Sequence, residues 1–121
     1  MHQPESSRSR LTIFVRNVSN ACILDLIGPL GTGEPLQIFR AQINELLDGA
    51  ARNFAINITK VPYMDSSGIG ALVGAHTSIE TIGGKCKLFG VMPRVRRLLE
   101  LVHLDTVLEL FDDEASALAS F

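Results

Sequence analysis

Tyr63-Met64-Asp65-Ser66-Ser67-Gly68-Ile69-Gly70 marks the point where one backbone period gives way to another. Upstream, Phe54, Ile56 and Ile58 alternate at period two within Asn53 to Ile58, which predicts a strand, and Pro62 bars that strand from continuing. Downstream, Ile69, Leu72, Val73, His76, Ile79 and Ile82 recur at spacings of three and four, which predicts one face of a helix. Asp65, Ser66 and Ser67 therefore fall at the N-cap and first turn, where residues of these types cap best. A first turn presents unpaired N–H groups and the positive end of the helix dipole, so it tolerates an added anion. On the residues alone, plain capping explains Asp-Ser-Ser somewhat better than a modified hydroxyl does.

Working outward, Leu11 to Arg16 and Ala21 to Ile27 read as strands joined by a turn at Asn17-Val18-Ser19-Asn20. The loop Gly28-Pro29-Leu30-Gly31-Thr32-Gly33 leads into a helix whose stripe is Leu36, Phe39, Ile43, Leu46, Leu47 and Ala50, with Gly49 near its end. After the central helix, Gly83-Gly84 terminates it and Lys85 to Gly90 supplies a further strand. Pro93 opens another helix with Val95, Leu98, Leu99 and Val102 inward, Val107 to Phe111 forms a short strand, and Asp112 caps a last helix. This order predicts a single α/β domain over residues 10–121, a mostly parallel central sheet entered by an antiparallel hairpin, with about four helices. Residues 1–9 are polar and read as a disordered leader.

Composition narrows the partners. At 121 residues and 46% hydrophobic content the chain suits one domain with an ample core. A formal net charge of -2 gives no global attraction to nucleic acid or an anionic membrane, and 6% aromatic residues supply few stacking platforms for bases. No stretch approaches the roughly 20 apolar residues of a membrane span. Cys22 and Cys86 lie in apolar strand-like runs, which fits reduced thiols in a cytoplasmic protein, and a protein partner is the expectation that remains.

The other candidate sites are weak. A nucleophile elbow needs Gly-x-Ser-x-Gly, whereas Met64 precedes Ser66 by two and Asp65 precedes Ser67 by two, and neither His76 nor His103 is placed as a base. The Gly28 to Gly33 loop lacks a P-loop ending and reads as a turn rather than a phosphate cradle. His2, His76, His103, Cys22 and Cys86 show no paired metal-ligand spacing. Lys85, Lys87, Arg94, Arg96 and Arg97 form a basic cluster, read either as solvated faces complementing Asp105, Glu109, Asp112 and Asp113 or as a rim for an acidic partner. Gly68 is read two ways, as room for a partner's backbone or for tight helix-on-sheet packing.

Taken together, Met64-Asp65-Ser66-Ser67-Gly68-Ile69-Gly70, Gly83-Gly84 and Val91-Met92-Pro93-Arg94-Val95-Arg96-Arg97-Leu98-Leu99 resemble the STAS domain family, which includes the anti-sigma factor antagonists. The resemblance runs from Leu11 to Phe121. It implies that Ser66, directly after Asp65, accepts phosphate, and that Asp65, Ser66, Ser67, Gly68 and Ile69 meet a partner, for which the rim reading of the basic cluster adds Arg94 and Arg97. That partner would be a serine kinase acting as an anti-sigma factor; binding would release its sigma factor, phosphorylation would end the binding, and a metal-dependent serine phosphatase would restore it. The chain itself would be no enzyme and hold no cofactor or metal, since nucleotide and magnesium belong to the kinase. One departure stands out: antagonists of the family usually carry an Asp-x-x-Thr-like segment after the second strand, near the phosphoserine, and Gly31 stands here in place of the aspartate. The alternatives are a non-phosphorylated STAS scaffold module and a small-molecule or nucleotide binder using the Gly28 to Gly33 loop.

Overall fold

The structure, a computed structural model, describes residues 10–121, so the leader expected at residues 1–9 lies outside the described residues. Five strands alternate with four helices: β1 (Thr12–Val18), β2 (Ala21–Ile27), α1 (Glu34–Leu47), β3 (Asn53–Lys60), α2 (Ser66–Thr81), β4 (Lys85–Phe89), α3 (Pro93–Leu101), β5 (Glu109–Phe111) and α4 (Glu114–Ala119). Spatial order follows chain order, with β1 antiparallel to β2 and every later pairing parallel. Right-handed crossovers that always step in one direction place their helices on one face of the sheet. Accordingly Phe39 and Ile43 of α1, Leu72 and Ile79 of α2, and Val95 and Leu99 of α3 join one core with Leu24, Ile56 and Leu88. The opposite face holds a smaller cluster, Ile23, Ala55, Phe89 and Ala117, covered by α4.

Several boundaries differ from the expectations for physical reasons. β1 runs on to Val18, opposite Ala21, so the hairpin turn shrinks to Ser19-Asn20, with Ser19 at φ 57. β3 continues to Lys60, and the pairing of its flank persists as a bridge between Leu30 and Met64. Asp113 rather than Asp112 caps α4, its Oδ1 accepting from the Ser116 amide at 2.8 Å. Ala50, Ile82, Val102 and Val107 lie outside the helices and strands assigned to them and are exposed. A periodic pattern cannot register that a helix has already ended, because its last apolar residue fits the period whether or not the backbone still does.

Candidate functional site

β3 and β4 are parallel, so the carboxyl ends of these strands, where α2 and α3 begin, share one rim of the sheet. Asp65 is the N-cap of α2, in extended backbone, and its Oδ1 accepts the Gly68 amide at 2.9 Å. Its other oxygen faces the loop from β2: Oδ2 accepts the Thr32 amide at 3.0 Å and lies 3.1 Å from Thr32 Oγ1. The Thr32 amide, then the Gly68 amide, hold the Asp65 carboxyl below the usual carboxylate range, because each donates to the charged form. Thr32 Oγ1 also lies 3.1 Å from Ser67 Oγ. An ionised carboxylate only accepts, so the single Thr32 proton goes to Asp65 and the Ser67 hydroxyl supplies the proton of the second bond.

Ser66 differs from its neighbour. It is exposed at the first position of α2, and no side-chain hydrogen bond engages its Oγ among the described residues. Along α2 from Ser66, Gly70 and Gly74 follow at helical spacing; both are exposed, with nothing near the place a side chain would take. That row of the helix is bare and open to solvent.

Two residues expected at a partner surface are interior. Gly68 is buried, and a Cβ there would overlap the Leu30 carbonyl oxygen while standing 2.9 Å from Met64 Cγ. Of its two readings, tight packing is the one the structure bears out. Ile69 is likewise buried and belongs to the core. The sequence grouped them with Ser66 because they are adjacent in the chain, whereas a helix turns neighbours to different sides.

The Gly28 to Gly33 loop is fastened to the segment beside it. Amides of Gly28, Leu30 and Thr32 donate to Lys60 O, Tyr63 O and Asp65 Oδ2, each at 3.0 Å. Three of the loop's amide donors are thereby engaged within the chain. Gly31 is buried, and a Cβ there would stand 2.9 Å from Asp65 Oδ2. An aspartate at this position would put a second carboxylate into that space. Thr32 is the site residue that the sequence reading missed; the resemblance set its loop near Ser66, but no motif singled out Thr32 or its contact with Asp65.

The basic cluster divides. Lys87 is 5% exposed, pairs with Glu109 at 2.6 Å and lies over the rings of Phe111 and Phe121. Arg96 reaches Asp112 at 3.6 Å. Arg94 and Arg97 are exposed near the start of α3 and make no ion pair among the described residues. Away from this rim, Arg16 forks between Asp25, at 2.6 and 3.1 Å, and Glu114, while Asn57 Nδ2 donates to Asp25 at 2.8 Å. Cys22 and Cys86 are free and buried, and burial pushes the Cys86 thiol up to about 12, so it stays protonated. No helix among the described residues is long and apolar enough to cross a membrane.

Comparison with known proteins agrees with this architecture. The STAS domain family model matches residues 12–117. An anti-sigma F factor antagonist of Paenibacillus polymyxa is 30% identical over 80 residues, spanning 65% of this chain and 68% of that protein. Among solved structures, an anti-sigma factor antagonist from Mycobacterium paratuberculosis superposes with a TM-score of 0.80 at 18% identity, over 99% of this chain and 97% of that one. The Bacillus cell fate determinant SpoIIAA in its phosphorylated form gives 0.70 at 22% identity, over 90% and 97%. At these identities the two structures speak for the fold.

Proposed function

The chain belongs to the STAS domain family, and on that premise we propose that it is an anti-sigma factor antagonist switched by phosphorylation of Ser66. The observation that carries this reading is the contrast at the start of α2, where the Ser66 hydroxyl is exposed and unengaged while Asp65 and Ser67 are tied into the neighbouring loop. Unmodified, the bare row Ser66, Gly70 and Gly74 docks flat on a serine kinase that serves as an anti-sigma factor, with Arg94 and Arg97 at its rim. Binding there frees the sigma factor. The Ser66 oxygen then attacks the γ-phosphorus of the kinase's ATP; the bond to the leaving ADP breaks, and the serine proton passes to a base on the kinase. A serine phosphatase reverses the modification by hydrolysis. Catalytic groups, nucleotide and magnesium reside in the partners.

The switch is electrostatic. Phosphate adds about -1.5 to -2 charge beside an Asp65 already held ionised. In the free protein, water and the open first turn of α2 accommodate that charge. In the complex it would be desolvated against a flat partner surface next to a like charge, so the complex dissociates. The test is phosphate uptake measured by intact mass with the anti-sigma kinase and Mg-ATP. Wild type gains one phosphate and Ser66→Ala none; an unmodified wild type would favour the scaffold module, and phosphate persisting in Ser66→Ala would move the acceptor elsewhere.

A further inference from the structure

We infer that Thr32 is a positioning residue that selects Ser66 over Ser67 as the phosphate acceptor, an inference that rests on the phosphoswitch proposed above. Both serines sit in the first turn of α2, one residue apart, and either hydroxyl is chemically able to take a phosphoryl group. What separates them is the proton. An attacking serine must hand its proton to a base on the kinase as its oxygen bonds to the γ-phosphorus and the bond to ADP breaks. The Ser67 proton is committed to Thr32 Oγ1 at 3.1 Å, whose own proton is committed to the ionised Asp65. Ser66 has no such contact among the described residues.

The relay is held from several sides, which lets Thr32 act through its hydroxyl alone. Its amide donates to Asp65, Leu30 donates to Tyr63 O, Leu30 bridges Met64, and Gly31 brings the loop against Asp65 with no side chain between. These backbone fastenings survive removal of the Thr32 hydroxyl. Replacement by the isosteric valine therefore releases Ser67 and leaves the loop in place.

The experiment maps phosphate by fragmentation mass spectrometry after incubation with a purified anti-sigma-type serine kinase and Mg-ATP. Wild type and Thr32→Ser should carry phosphate on Ser66 alone. In Thr32→Val phosphate should appear on Ser67 as well as on Ser66, because the hydrogen bond that engages the Ser67 hydroxyl is gone. The double variant Thr32→Val with Ser66→Ala should take phosphate on Ser67, where Ser66→Ala by itself takes none. If thermal melts show Thr32→Val to be unfolded, Thr32→Ala carries the same comparison. Phosphate confined to Ser66 in folded Thr32→Val or Thr32→Ala, or shared by both serines in wild type, would overturn the inference while leaving the phosphoswitch intact. No phosphate on wild type would remove both.

Discussion

Gly68 is the residue whose environment leaves least freedom. It is the point where α2 rests on the Leu30 backbone, and any side chain would have to displace main chain rather than a flexible tip. Gly68→Ala should therefore cost about 3 kcal/mol, the upper end of what overpacking a filled site does, and should loosen the loop that carries Thr32. Urea unfolding would read this as a lower midpoint at unchanged slope. A midpoint equal to wild type would mean that the loop has room to retreat and that the contact does not hold α2 in place. Ser66 lies two residues away and has the opposite character: exposed and without a side-chain hydrogen bond among the described residues, it is free to change charge without disturbing the core. Placing a carboxylate there, at a helix N-terminus, shifts stability by typically less than about 1 kcal/mol.

Within the elements, three carboxylates, the caps Asp65 and Asp113 and the strand residue Asp25, link stability to pH. Asp65 is held below its ordinary range chiefly by the Thr32 amide, Asp113 by the Ser116 amide, and Asp25 by its hydrogen bond to Arg16. Each is lowered on folding, so each contributes stability that is fully present above the unfolded value near pH 4 and is lost as pH falls through the folded value. Asp65→Asn should lower the melting temperature at pH 7, and the gap to wild type should close as both are titrated below about pH 4. A gap independent of pH would show that Asp65 acts through packing instead. The elements themselves were largely legible in the sequence. Phe54, Ile56 and Ile58 announced β3, and Asp-Ser-Ser after Pro62 announced the start of α2. Helix ends were less so, since Ile82 and Val102 fit a helical period that the backbone has already left. The contact between Thr32 and Asp65 was not legible, because hydrogen bonds between residues 33 apart leave no periodic trace. Asp25 within Ala-Cys-Ile-Leu-Asp-Leu-Ile did carry a signal that went unread: a charge in a buried strand requires partners, and here they are Arg16 and Asn57.

For the whole molecule, the one-directional order of the parallel strands fixes which segments meet at one rim. With α1, α2 and α3 on one face and α4 on the other, the rim at the strand carboxyl ends gathers the β2 loop, the start of α2 and the start of α3. Ser66, Thr32 and the pair Arg94 and Arg97 reach that rim from three separate stretches of chain. On the proposed switch, charge at Ser66 governs partner binding while the fold stays indifferent to it. Calorimetric titration of wild type and Ser66→Asp into the anti-sigma kinase, with nucleotide present and melting curves taken in parallel, tests it most directly. A carboxylate desolvated beside Asp65 without a partner costs roughly 3 to 5 kcal/mol, equivalent to about two to four decades of affinity. Ser66→Asp should bind at least tenfold more weakly at an essentially unchanged melting temperature, and equal affinities for the two proteins would rule the switch out.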